Sequence, residues 1–149
     1  MSDIDPIDPI NPKDPKDPKA IATRFLQAWS AGGEAVIDEL ADPELEVYYS
    51  HFPDVIEGPD AFKEMLQRMF VSFPDIRIEA DEVLAEGDRV MVRWTYTATH
   101  QAGEIFGVAP SGKAIRVSGI TIYGIEDGRV QSEEGVADSL SMMLQLGAL

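Results

Sequence analysis

Two side chains are best suited to proton chemistry, the carboxylate of Asp138 and the imidazole of His100. Asp138 follows the strand-like run "RVQSEEGVAD" and precedes "SLSMMLQL", which has helical spacing. Two roles compete for it. As a helix N-cap it accepts hydrogen bonds from the first turn and does no chemistry. Buried against a pocket, it has a raised pKa and can move a proton next to a carbonyl. His100 ends the run "RVMVRWTYTATH" and shares strand parity with Val90, Val92, Trp94 and Tyr96, so all five point to one side, which we take to be a pocket. A neutral imidazole there hydrogen-bonds a carbonyl or exchanges protons near neutral pH; otherwise it is a polar residue at a hairpin rim. Trp94, Tyr96 and Tyr123 are candidates to stack on a flat ligand, or else plain core, with Trp29 at the pocket mouth and His51 at a strand end as further binding candidates. Glu134 shares parity with Asp138, but about 13 Å of ideal strand separates them, too far for a coupled carboxylate pair without a bulge at Gly135.

Other chemistries are excluded. There is no cysteine, hence no disulfide, thiolate ligand or thiol nucleophile. The histidines form neither H-x-H nor H-E-x-x-H, so no metal is expected. "GVAPSGKA", Gly107 to Ala114, imitates a phosphate-binding loop, but Ala114 replaces the hydroxyl residue and strand patterns flank it on both sides, so it reads as a hairpin connection. "AWSAG" imitates a nucleophile elbow but ends a helix. A formal charge of −15, from 27 acidic and 12 basic residues, repels nucleic acid and anionic membranes. With no signal peptide and no apolar run of membrane-spanning length, a cytoplasmic protein is expected.

Several elements must position these residues. Residues 1–19 carry "DPIDPINPKDPKDPK", with Pro at every third position, and are expected to be an extended tail; residues 20–149 are expected to form one domain. "AIATRFLQAWSAGG" places Ile21, Ala22, Phe25, Leu26 and Trp29 at helical spacing. "EAVIDELA" predicts a short helix and "LEVYYSH" a strand. "GPDAFKEMLQRMFVSFPD" opens with Pro59 at a first helical position and has the stripe Ala61, Phe62, Met65, Leu66, Met69 and Phe70. Four long strands then follow, with Gly87, Asp88, Asp127 and Gly128 at the turns, before a last helix that stops at Gly147. Helices first and consecutive strands after argue for an α+β fold. A curved antiparallel sheet, bent near Gly119 and Gly124 and covered by helices, makes a cone with an apolar pocket.

The series Ser50-His51, "GPDAF", "FPD", "EGDRV", "THQAGEIFG", "PSGK", "DGRV", Asp138 and "LQLG" resembles the SnoaL-like polyketide cyclases (ester cyclases) of the nuclear-transport-factor-2-like superfamily. The resemblance covers roughly residues 20 to 149. It implies the cone fold (cystatin-like in its helix-and-sheet layout), frequent homodimers, and neither metal nor organic cofactor. It also implies an intramolecular aldol ring closure of a polyketide ester, with Asp138 matching the general acid/base. In the position of the family's Glu-Trp pair this chain has "SEEGVAD", with Glu134 in the tryptophan slot. Two functions remain open: a cofactor-free enzyme acting on a small hydrophobic carbonyl compound, or a ligand-binding accessory protein of the same fold.

Overall fold

The computed structural model describes residues 17–149. The tail expected over residues 1–19 lies, up to residue 16, outside the described residues. Helix α1 (Pro18–Leu26) begins two residues before the expected start. Asp17 caps it by accepting a hydrogen bond from the Lys19 amide at 3.1 Å, and Pro18 takes a first-turn position where its missing N–H costs nothing. Ile21, Ala22, Phe25 and Leu26 are its buried stripe. A single 3₁₀ turn, Gln27–Trp29, continues it. Helix α2 (Ala35–Leu40) runs directly into β1 (Ala41–Tyr49), which a short β2 (Ile56–Glu57) borders. Helix α3 (Pro59–Ser72) fully buries only Phe62 and Leu66 of the expected stripe. Met65, Met69 and Phe70 are half-buried, because that side of α3 borders a cavity as well as core.

The remaining chain is a meander of β3 (Arg77–Glu86), β4 (Arg89–Thr99), β5 (Ala114–Glu126) and β6 (Arg129–Ala137), closed by α4 (Ser139–Leu146) and the left-handed Gly147. The fold is α+β, with a curved six-stranded sheet in the order β2-β1-β6-β5-β4-β3. Every pair is antiparallel except β1 with β6. Residues 100–113, between β4 and β5, form no helix, so the phosphate-loop lookalike is a hairpin connection as expected.

Strand alternation makes the core. Val90, Val92 and Trp94 of β4, and Ile115, Val117, Tyr123 and Ile125 of β5, point inward. Val90, Val92, Trp94, Tyr123 and Ile125 join α1 and α3 in one large core, while Ile115 and Val117 belong with Phe73, Ile76, Ala98 and Leu146 to a smaller one at the α4 end. One irregularity matters for function. In the β5–β6 ladder Gly124 pairs with Ser132 but Ile125 pairs with Val130, so Gln131 is an extra, bulged residue. The bulge reverses the parity of everything after it: Glu133 and Ala137 face inward, while Glu134 and Val136 face out.

Candidate active site

Between the two cores lies a cavity of about 470 Å³ with mostly apolar walls. Trp29, Tyr49 and Phe52 form one side, Trp94 and Tyr96 the floor, and Met65 and Met69 of α3 the roof. Ile105 and Phe106 of the β4–β5 connection and Met142 of α4 complete the mouth.

Two glycines let the aromatic walls take their places. A Cβ on Gly119, the β5 partner of Trp94, would collide with the Trp94 ring and lie 2.5 Å from the Val136 carbonyl oxygen. The indole therefore lies directly over the strand, stacked on Tyr96 with centroids 5.9 Å apart at 23°. A Cβ on Gly135 would stand 2.5 Å from the Tyr49 ring.

The polar ends of two wall aromatics, Trp29 and Tyr49, converge behind the wall on one carboxylate. Trp29 Nε1 and Tyr49 Oη each donate to Glu133 Oε2 at 2.7 Å. Tyr49 Oη also lies 2.7 Å from Thr121 Oγ1, and Trp94 Nε1 donates to that same hydroxyl at 2.9 Å. Glu133 is 1% exposed and Thr121 is fully buried. Burial pushes the Glu133 carboxyl up to about 7, and the hydrogen bonds from Tyr49 and Trp29 oppose that rise. Burial, reinforced by the Glu133 charge, raises the Tyr49 and Tyr123 hydroxyls well above their ordinary value. Among the described residues, Glu133 Oε1 and Tyr123 Oη are buried without a hydrogen-bond partner.

The residues expected from sequence divide into three groups. Trp29, His51, Trp94 and Tyr96 all border the cavity. Burial lowers the pKa of His51, and burial raises that of Tyr96. Tyr123 and His100 point inward but away from the cavity. Tyr123 is wholly buried, edge-on to Phe25 at 6.1 Å. His100 packs on Phe73 at 5.6 Å, with Nε2 2.6 Å from the Gly103 carbonyl oxygen, so it braces the β4–β5 connection. Asp138 and Glu134 lie outside. Asp138 is exposed and caps α4, accepting from the Ser141 amide at 3.0 Å. Glu134 is exposed on the outer face, because the bulge at Gln131 gives its expected inward place to Glu133.

Three residues of the polar cluster, Tyr49, Thr121 and Glu133, were not singled out from sequence. Tyr49 was within reach, since it shares parity with the buried Leu45 and Val47. Among the described residues, no three His, Cys, Asp or Glu side chains are placed to hold a metal ion. Nor is any helix there long and apolar enough to cross a membrane.

Known proteins show the same architecture. AclR of Streptomyces galilaeus, assigned as a hydroxylase, is 27% identical, with 89% of this chain and 85% of that one covered and a TM-score of 0.76. A protein of Acidithiobacillus ferrooxidans assigned as a polyketide cyclase is 26% identical, with 93% and 98% covered and a TM-score of 0.78. An LEH-like epoxide hydrolase of M. tuberculosis shares the fold at 16% identity and a TM-score of 0.68, with 87% and 88% covered. None of the curated proteins matches the sequence. The sequence profile of the SnoaL-like polyketide cyclases matches residues 19–146, nearly the whole described chain, and the chain therefore belongs to that family.

Proposed function

We propose that this protein is a cofactor-free enzyme of cyclase or isomerase type, which takes a small hydrophobic, polyketide-like carbonyl compound into the cavity and moves a proton beside its carbonyl group. In this reading Glu133, not Asp138, is the acid/base. One observation carries it: a carboxyl group with its pKa brought to about 7 stands directly behind the aromatic wall, bonded to two residues of that wall. A pKa near the working pH suits a group that must both take and return a proton. Tyr49 connects the two compartments, since its ring borders the cavity and its hydroxyl donates to Glu133. When the Tyr49 ring swings aside, the Glu133 carboxylate is opened to the substrate and takes the α-proton directly. The reverse transfer delivers a proton to the product, and the enzyme ends as it began.

The test is exchange of the α-protons of 2-tetralone, a small bicyclic ketone, in D₂O. The wild type is expected to accelerate exchange. Glu133→Gln keeps an oxygen for Trp29 and Tyr49 but cannot carry the proton, so exchange should fall on the order of 100-fold. An unchanged rate in the variant would remove Glu133 from the mechanism.

The other reading, a ligand-binding protein without turnover, draws on the depth of Glu133, 1% exposed behind Trp29 and Tyr49. It is the correct one if the wild type binds 2-tetralone and leaves its α-protons in place.

The outer face of the sheet suits a second copy of the chain. Arg93, Thr95, Thr97 and Thr99 of β4 share it with the exposed Ile120, Ile122 and Val136. Ile120 pairs with Val136, and Ile122 with Met91, making one apolar patch.

A further inference from the structure

The segment between β4 and β5 ends in a very small hairpin. Ile105 and Val108 exchange backbone hydrogen bonds of 3.0 and 2.9 Å, leaving Phe106 and Gly107 as the two turn residues. Both have positive φ, 51° and 78°. Two positive values in a row mark a type I′ turn, whose first position favours Asn, Asp or Gly. A phenylalanine there is strained, since its Cβ crowds the backbone in the left-handed region. The ring is 51% exposed, so burial in the folded chain offsets little of that strain. Yet it borders the cavity, beside Ile105.

The base of this segment is firmly tied. His100 Nε2 meets the Gly103 carbonyl oxygen at 2.6 Å, the His100 amide donates to the Lys113 carbonyl at 3.0 Å, and the Gln101 amide donates to the Ser72 carbonyl at 2.9 Å. The hairpin tip is therefore delivered to one place, where the large side chain at the unfavourable turn position stands over the opening. A strained residue that packs poorly in the unliganded fold points to a contact made with something else.

We propose that Phe106 caps the cavity, burying its exposed face on the bound molecule and setting how large a ligand the mouth admits. The proposal rests on the cavity being the ligand site. The ring's free face amounts to about 100 Å² of apolar surface. Its burial is worth on the order of tenfold or more in affinity for a ligand it covers, and nothing for one that protrudes past it.

Two fluorescent probes read this directly: two-ring 2-naphthol, small enough to be covered, and four-ring 1-hydroxypyrene, long enough to project. Phe106→Asn supplies the residue the turn prefers, so its melting temperature should rise by a few degrees. Naphthol binding should weaken roughly tenfold and hydroxypyrene binding should hold or improve, shifting the ratio of the two affinities. A variant that melts higher but binds both probes as the wild type does would make Phe106 an ordinary turn residue and overturn the cap. Met69→Trp, which fills the cavity from its roof, separates this failure from a deeper one. It should abolish binding of both probes, and if it does not, the ligand lies elsewhere and the cavity reading falls together with the cap.

Discussion

The two faces of β6 show how far one bulge can divide the chemistry of neighbouring residues. On the inner face Glu133 has lost its water, accepts hydrogen bonds from Trp29 and Tyr49, and has its pKa pushed up to about 7. On the outer face the next residue, Glu134, stands in solvent near an apolar patch, and at the strand's end Asp138 spends its carboxylate on a helix cap. Three acidic residues within six positions thus have three different roles. Residue type distinguishes them poorly. The side of the sheet each one occupies decides its surroundings, and only the inner one is buried deeply enough for desolvation to raise the Glu133 pKa.

The largest expected effect concerns the buried face. The folded-state pKa of Glu133 is raised above its ordinary 4.5 to about 7, so between those values the folded protein holds a proton that the unfolded chain has released. Its contribution to stability is therefore fully present below about pH 4.5 and is lost as pH rises towards 7. The span corresponds to about 3 kcal/mol. Glu133→Gln removes this part of the slope. Urea unfolding at pH 5 and pH 8 should show the wild type losing more stability than the variant, and the variant the more stable of the two at pH 8. Parallel losses in the two proteins would mean that Glu133 titrates as an ordinary surface carboxylate and that the contrast between the faces is false.

The intermediate effect belongs to the outer face. If Ile120, Ile122 and Val136 meet their counterparts on a second copy, light scattering at micromolar concentration should give twice the chain mass of 16.4 kDa. Val136, 53% exposed, can take a charge without disturbing the fold. Val136→Asp should halve the mass and shift the melting temperature by no more than the dimer contributes. A chain that is already 16.4 kDa as wild type would leave the patch without this role. The charge of −15 opposes association, so dimerisation should tighten with added salt.

Most of the fold could be read from the sequence because its signals are local. Pro59 at a helix start, Gly147 at a helix stop and the alternation through Val90, Val92 and Trp94 depend only on nearby residues, and the structure places them as expected. The aromatic cavity walls Trp29, Trp94 and Tyr96 were legible for the same reason. His100 was placed on the correct side, but parity says nothing of how far along the strand the cavity extends. Glu133 was beyond reach. Alternation counted from Glu134 is a sound rule for an ideal strand, and Gln131 breaks it through a pairing irregularity that composition does not encode. The resemblance to a family with an aspartate at position 138 drew attention to that residue for a reason independent of its surroundings.

The smallest expected effect is therefore the one that sharpens the comparison most. Asp138 accepts a 3.0 Å hydrogen bond from the Ser141 amide, and asparagine caps a helix about as well as aspartate. Asp138→Asn should leave the melting temperature nearly unchanged, whereas Asp138→Ala should lower stability by about 1 kcal/mol through the lost cap. If the exposed end of β6 has only this structural task, 2-tetralone exchange in Asp138→Asn should match the wild type. Exchange should then drop only in Glu133→Gln. A tenfold or greater loss in Asp138→Asn at unchanged melting temperature would reverse the assignment. The solvent-side carboxylate would then be the acid/base, reaching the cavity between Ala137 and Ser139, which border it. Glu133 would be left as the anchor that holds Trp29 and Tyr49 in the wall.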